Sequence, residues 1–198
     1  MLRNKSFTYE EGLGTDMARK ESITIQMILD TAFLMTREEG FQNATARKVA
    51  AKAGCSTQPI FRVYKNMEEL SEAVYLKAID FFRDYYDLYP RTSNVPFANL
   101  GMAYIAFARE EKHLFELLFL SDVSYKKSLY EILNGSGGNV VAEINAAKET
   151  GCLDASGMFM KMWIFIHGIA CMSLTGDYDL SELETKGLLE QSFHSFAS

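Results

Sequence analysis

Five basic side chains are concentrated in a short part of the sequence, between Ala44 and Asn66, that contains no acidic residue. They are Arg47, Lys48, Lys52, Arg62 and Lys65. The chain as a whole has a formal net charge of −6, so this local excess does not reflect its average composition. Grouped lysine and arginine side chains are the usual binding groups for phosphate oxygens. The first chemistry that the sequence predicts is therefore contact with a polyanion.

The same stretch predicts two short helices that are joined by a tight turn. Thr45 is a good N-cap for the first helix, and Ser56 is one for the second, which would run from Thr57 to about Tyr64. Gly54 lies between them, where the chain must turn without a steric penalty from a Cβ atom. A helix-turn-helix of this kind places the start of its second helix in the DNA major groove. Duplex DNA is therefore the polyanion that this pattern favours.

The residue types on the outer side of the second helix predict how DNA would be read. Gln58 can pair with adenine, and Arg62 can pair with guanine or hold a phosphate. Thr57 and Pro59 can contact thymine methyl groups. The other basic residues would fix the register on the backbone, and the first turns of the helices after Thr45 and Asn66 would also attract phosphate. The predicted DNA contacts are Thr45, Arg47, Lys48, Ser56, Thr57, Gln58, Pro59, Phe61, Arg62 and Lys65.

Helices are predicted for the rest of the chain too, because apolar residues recur with a period near 3.6. Only three prolines occur, and long alternations of β-branched residues are missing. We therefore expect an all-α fold of about nine helices. The first predicted helix covers 22–39, and the second is the one capped by Thr45. Further helices are predicted at 57–64, 67–88, 96–111, 113–120, 155–175 and 180–196. Between 120 and 155 we predict one helical segment that begins at 124, is interrupted at 134–138 and resumes at 139–150. Further N-caps are predicted at Asn66 (with Glu69), Ser124 and Asp179 (with Glu182).

Charge divides the chain into two parts. Residues 1–66 contain 10 basic and 7 acidic residues, a net charge of +3, whereas residues 67–198 contain 10 and 19, a net charge of −9. Because phosphate repels the acidic part, any contact with nucleic acid belongs to the N-terminal part. We predict a flexible arm at 1–21, a helix-turn-helix DNA-binding domain at 22–66, and a helical domain for effector binding and dimerisation at 67–198.

Several classes of function find no support in the sequence. The N-terminus does not have the pattern of a secretory signal, and no apolar run approaches the roughly 18 residues of a membrane span, so we expect a cytoplasmic protein without membrane contact. Cys55, Cys152 and Cys171 are odd in number and widely separated, and the histidines are scattered, which predicts neither a disulfide framework nor a metal or cofactor site. There is no nucleophile–base pair, carboxylate pair or phosphate-binding loop, so we do not expect an enzyme.

The segment from Gly40 to Tyr75 resembles the DNA-binding signature of the TetR/AcrR transcriptional regulators. The resemblance is carried, at that family's spacing, by Gly40-Phe41, Thr45, Val49-Ala50, Ala53-Gly54, Ser56, Phe61, Tyr64, Asn66 and Glu68-Glu69-Leu70. It is close over residues 22–75 and then rests on the number of helices and on the pattern Trp163, His167-Gly168. The resemblance implies an all-α homodimer with a variable effector pocket, usually a repressor that a small molecule releases from DNA.

The resemblance also assigns tasks to the C-terminal helices. The helices predicted at 155–175 and 180–196 would pair with their copies as a four-helix dimer interface. Dimerisation would place two recognition helices roughly 34–36 Å apart and would imply a palindromic operator. The aromatic and methionine-rich interior would suit a flat or lipophilic effector, but the same pattern is also that of an ordinary core, in which His167 would be a hydrogen-bonded structural residue. The predicted effector contacts are Tyr104, Phe107, Phe119, Met162, Trp163 and His167.

Three positions depart from the family's pattern. Phe61 and Val63 stand where the family usually has hydrogen-bonding rings, and Met67 stands where it usually has lysine. In the family these groups commonly contact DNA phosphates. Unless Arg62 and Lys65 replace the lost phosphate contacts, the departures predict binding that is weaker by roughly one to three orders of magnitude, at about 1 kcal/mol for each lost hydrogen bond. They also leave a second interpretation open, which is a protein-interaction module on the same fold that has lost tight DNA binding.

Overall fold

The regular elements of the described chain are all helical, as predicted. The structure is a computed structural model that describes residues 23–135 and 137–197, so the predicted arm at 1–21 lies outside it. The helices are α1 (Ile25–Glu39), α2 (Ala46–Lys52), α3 (Gln58–Val63), α4 (Met67–Leu88), α5 (Ala98–Glu110), α6 (Lys112–Phe115), α7 (Leu129–Asn134), α8 (Asn139–Glu149), α9 (Ala155–Thr175) and α10 (Glu182–Ala197). A 3₁₀ turn at Phe41–Asn43 follows α1, and a π-helical turn at Glu116–Leu120 continues α6. The count exceeds nine because the interrupted segment forms two separate helices.

The helices that frame the predicted DNA-binding part begin and end on local signals. The hydroxyl of Thr24 accepts a hydrogen bond from the Met27 amide at 3.1 Å, so α1 starts a little later than predicted. Gly40 ends α1 with φ +90°, a backbone angle that glycine adopts without a Cβ penalty. The side chain of Asn66 accepts from the Glu69 amide at 2.9 Å and begins α4, as predicted.

Two predicted N-caps are wrong by a few residues. The N-cap of α7 is Ser128 and not Ser124, and it forms a complete capping box with Glu131. The Ser128 hydroxyl accepts a hydrogen bond from the Glu131 amide, and the Glu131 carboxylate accepts one from the Ser128 amide. In the same way Ser181 with Glu184, and not Asp179 with Glu182, precedes α10. Both true boxes have the sequence Ser-x-x-Glu, which is the stronger signal because hydroxyl and carboxylate satisfy each other's backbone amides.

The C-terminal domain is built around α9, which packs against α5, α8 and α10. One side of α9 is core, with Met158, Met162 and Ile166 buried. The other side is exposed, with Met160, Ile164 and Met172 at the surface, so only half of the circumference of α9 belongs to the core. Within the described residues α9 is also the one helix long and apolar enough to cross a membrane, contrary to our expectation about apolar runs; the core helix of a soluble protein meets the same criterion.

The N-terminal helices are attached to the rest of the molecule through α1. Helices α2 and α3 both pack against α1, and α1 in turn packs against α4 and α6. The position of α3 relative to the C-terminal domain therefore depends on how α1 is held.

Candidate nucleic-acid interface

The helix-turn-helix is held by a small apolar core. Val49 and Ala50 on α2 and Ile60 on α3 are buried, and Tyr64 follows α3 as a fourth buried residue. Gly54 turns the chain between the two helices with φ +68°. A Cβ atom built at Gly54 would meet nothing within 4 Å, so the glycine is required for its backbone angle and not for space.

The outer surface of α3 brings together several of the predicted DNA contacts. Gln58 and Arg62 are exposed one helical turn apart, and the ring of Phe61 is 47% exposed beside them. Ser56, Gln58, Pro59, Phe61 and Arg62 line one open depression of about 450 Å³. Thr57 is the N-cap residue of α3, in place of the predicted Ser56, and its side chain makes no capping bond. The surface thus offers amide, guanidinium and apolar groups together, which are the groups that read base edges.

Two of the five basic side chains are paired, although the sequence around them contains no acidic residue. Lys52 Nζ lies 2.5 Å from Glu38 Oε2, and Lys48 Nζ lies 3.7 Å from Glu39 Oε2 and 3.0 Å from Asn43 Oδ1. Both glutamates come from the last turn of α1, outside the stretch between Ala44 and Asn66. These pairs are exposed and therefore weak, so a DNA phosphate can replace either carboxylate at small cost.

The other three basic side chains have no such partner. Arg47, Arg62 and Lys65 make no ion pair with any residue in the described ranges 23–135 and 137–197, and all three are exposed. Thr45 is also exposed, at the start of α2, which has no acidic residue in its first turn. The first turn of α4 differs, because it contains Glu68 and Glu69 and is therefore a poor phosphate site, contrary to the prediction.

The three departures from the family pattern lie in different surroundings. Val63 and Met67 are half-buried and pack against the core, so their side chains contribute to folding. Phe61 is the exposed one, and its ring ends at the surface without a hydroxyl group. Only position 61 therefore presents an apolar group where a polar contact could otherwise be made.

The predicted effector contacts form one packed cluster in the C-terminal domain. The ring of Tyr104 lies 4.7 Å from that of Trp163 and 4.8 Å from that of Phe119, measured between centroids. Phe107 and Met162 are fully buried in the same interior. In this conformation the rings contact one another, so a ligand at this position would have to separate them.

Two further aromatic residues belong to this cluster, and of these Phe82 was not predicted from the sequence. Phe82 of α4 lies 4.9 Å from Phe107 and 5.3 Å from Phe119, again between ring centroids. Phe115 lies 5.1 Å from Tyr104. Phe82 could have been found from its helical spacing, since it follows Tyr75 and Ile79 on the buried face of α4.

His167 is held inside the cluster by polar partners on both ring nitrogens. Tyr104 Oη lies 3.0 Å from Nδ1, and Cys171 Sγ lies 3.6 Å from Nε2. Burial lowers the pKa of His167 and raises the pKa values of Tyr104 and Cys171. A neutral imidazole that accepts from the Tyr104 hydroxyl at Nδ1 has its proton on Nε2, facing the sulfur. This is the geometry of a hydrogen-bonded structural histidine, which was the alternative left open for His167.

Comparison with protein families identifies both parts of the chain. The family described as bacterial regulatory proteins, tetR family, matches residues 28–74. The family described as tetracyclin repressor-like, C-terminal domain, matches residues 97–196. The chain belongs to the TetR family. TetR-family regulators are DNA-binding transcription factors, and the first match covers α2 and α3 together with most of α1.

Solved structures of transcriptional regulators share this fold at low sequence identity. A TetR-family transcriptional regulator from Rhodococcus sp. is 17% identical with a TM-score of 0.57, and the alignment covers 87% of this chain and 98% of that one. A transcriptional regulator from Pseudomonas aeruginosa PAO1 is 16% identical with a TM-score of 0.59, covering 87% and 89%. A TetR-like regulator from Rhodococcus sp. RHA1 is 15% identical with a TM-score of 0.59, covering 86% and 93%. No curated protein matches the chain.

Proposed function

We propose that this TetR-family chain is a homodimeric, non-catalytic repressor that acts in the cytoplasm on a palindromic operator. The observation that supports DNA binding most directly is the exposed surface of α3, where Gln58, Phe61 and Arg62 lie together. An amide and a guanidinium group can each make bidentate bonds to a purine in the major groove. Arg47 and Lys65, which have no ion-pair partner in the described chain, supply charge for the phosphates on either side.

Dimerisation is supported by an apolar stripe on the outer side of α9. Met160, Ile164, Gly168 and Met172 follow one another at intervals of four residues, and the three larger side chains are 54%, 66% and 45% exposed. A contiguous apolar stripe of this kind favours burial against another protein surface. Gly168 has nothing within 4 Å of its Cβ position, so a second helix can approach closely there. We infer that α9 and α10 pair with the same helices of a second copy.

Release from DNA is assigned to a small, largely apolar ligand in the aromatic cluster of the C-terminal domain. The cluster offers apolar rings and a hydrogen-bonded pair, Tyr104 and His167, as groups that a ligand could contact. Because the rings are packed together, binding must favour a more open state. The ligand must therefore prefer that state by a few kcal/mol to change the populations of the two.

The proposal is tested by selecting an operator from random duplexes and measuring affinity by fluorescence anisotropy. Binding should weaken steeply with salt, because neutralised phosphates release counterions. Arg62→Ala should cost about 1–3 kcal/mol and relax the preference at one base position, whereas Arg47→Ala should weaken all sequences alike. Lys148→Ala, an exposed lysine on α8, is the matched control and should change nothing.

A second candidate function is supported by the exposed Phe61 ring beside Pro59. These apolar groups on α3 would suit a protein partner on this surface in place of DNA. Undetectable DNA binding at low ionic strength, or binding that does not depend on salt, would exclude the repressor and leave this interaction module as the better explanation.

A further inference from the structure

A two-point ion pair joins the DNA-binding domain, here α1–α3, to the C-terminal domain. Arg37 lies in the last turn of α1, and its Nε donates to Glu111 Oε2 at 2.7 Å. A second hydrogen bond joins Arg37 Nη2 to Glu111 Oε1. Glu111 is only 9% exposed. Two parallel bonds between guanidinium and carboxylate fix both distance and orientation, which a single lysine contact does not.

Glu111 occupies the corner at which α5 ends and α6 begins. Its amide donates to the carbonyl of Phe107 at 2.8 Å, and its carbonyl accepts from the amide of Phe115 at 2.9 Å. The carboxylate that holds Arg37 is thus part of the same backbone corner as two rings of the aromatic cluster. A movement of that corner moves the partner of Arg37 directly.

Arg37 is also held by the neighbouring helix α4. Its guanidinium carbon lies 4.9 Å from the ring centroid of Phe81. Phe81 in turn contacts Phe33 of α1 at 5.7 Å and Phe107 of α5 at 6.4 Å. The side chain of Arg37 is therefore positioned by α4 and by the corner between α5 and α6 at once.

We propose that Arg37 and Glu111 are positioning residues that fix the orientation of each DNA-binding domain and so set the distance between the two recognition helices of the dimer. This inference rests on the proposed function, since it assumes a dimer on a palindromic operator. Helices α2 and α3 pack on α1, so a rotation or tilt of α1 would move both. With the pair intact the dimer accepts one half-site spacing; without it, each DNA-binding domain can adjust.

The test compares three duplexes: the selected palindrome, the same palindrome with one base pair inserted at its centre, and a single half-site. The insertion separates the half-sites by about 3.4 Å and rotates them by roughly 34–36°. Wild-type protein should lose about tenfold or more in affinity on the inserted duplex, as for a lost specific contact. Glu111→Gln should bind the palindrome several-fold more weakly than wild type does. Its own affinities for the palindrome and for the inserted duplex should differ by no more than about threefold. Half-site affinity should be equal for the two proteins.

A matched control uses the ion pair that joins α1 to α4. Asp30 lies 2.6 Å from Lys77 of α4, a pair made through a single lysine nitrogen. Asp30→Asn removes one carboxylate from an ion pair of α1, as Glu111→Gln does. Unlike Glu111→Gln, it should leave the dependence of DNA binding on half-site spacing as in wild type. Arg37→Lys keeps the charge but loses the two-point geometry; it should behave like Glu111→Gln, and it supplies the same test if that variant does not fold.

The possible outcomes separate the two proposals. The positioning role is refuted if wild type binds the palindrome and if Glu111→Gln and Arg37→Lys discriminate against the inserted duplex as strongly as wild type does. The proposed repressor function would stand in that case. If wild type binds none of the three duplexes, the proposed function itself fails. The charge reversal Arg37→Glu with Glu111→Arg should restore part of the discrimination, which a loss of stability alone would not do.

Discussion

The single substitution Phe61→Tyr should strengthen DNA binding by adding one hydroxyl group to the surface of α3. Phe61 is 47% exposed, so the hydroxyl would extend into solvent without burying a polar atom. The free energy of unfolding should therefore change by less than about 0.5 kcal/mol. A hydrogen bond to a charged phosphate contributes roughly 1.5–3 kcal/mol and a neutral one about 1, so we expect an affinity gain of about tenfold.

Salt dependence makes this prediction specific. Tyrosine adds no charge, so the slope of log affinity against log salt concentration should be the same for Phe61→Tyr and wild type. By contrast, Met67→Lys would add a charge and steepen the slope by about 0.9 if it reached a phosphate. Because Met67 packs against the core, that variant should also lose stability, as should Val63→Tyr.

Anisotropy titrations at several salt concentrations, with thermal unfolding as the control for folding, measure both quantities. Unchanged or weaker binding by a fully stable Phe61→Tyr variant would refute the reasoning. It would mean that the edge of ring 61 does not face a phosphate, and that its apolar surface meets either a sugar, a thymine methyl group or a protein partner.

Three further predictions concern the rest of the molecule. Ile164→Glu should convert a dimer to a monomer in sedimentation experiments, because it places a charge in the apolar stripe, whereas Leu153→Glu, a fully exposed position outside α9, should not. Since burial lowers the pKa of His167, the unfolded chain binds a proton there more readily than the folded chain does. The free energy of unfolding should therefore fall as pH drops below about 6.5. His167→Asn should flatten that pH dependence in denaturant titrations. Gly54→Ala should destabilise the helix-turn-helix by about 1–2 kcal/mol in thermal unfolding, because φ there is +68°, despite the open space around it.

Local signals in the sequence predicted the helix-turn-helix well. The turn at Gly54 and the cap that Asn66 provides for the following helix, α4, depend on neighbouring residues, and such features can be inferred from spacing alone. The errors at Ser124 and Asp179 came from choosing the first plausible cap instead of the Ser-x-x-Glu pair that follows a few residues later. In both cases the better signal was already present in the sequence.

Long-range contacts could not be predicted in this way. The sequence showed aromatic residues at helical spacing, but whether Tyr104 and Trp163 contact each other or line a cavity depends on the distance between α5 and α9. Similarly, Arg37 and Glu111 are 74 residues apart, and neither has a distinctive neighbour. Only the packing of α1 against α6 reveals that they form a pair.

The charge of the DNA-binding surface shows why local composition can mislead about an interface. The stretch between Ala44 and Asn66 contains five basic residues and no acidic one, yet Glu38 and Glu39 at the end of α1 reach Lys52 and Lys48. A phosphate that binds either lysine must therefore displace a carboxylate, so each of these contacts gains less than one made by a free cation. The side chains that gain most are Arg47, Arg62 and Lys65. Because Arg62 is also the one that can read a base, affinity and sequence preference should depend more strongly on it than on Lys48 or Lys52.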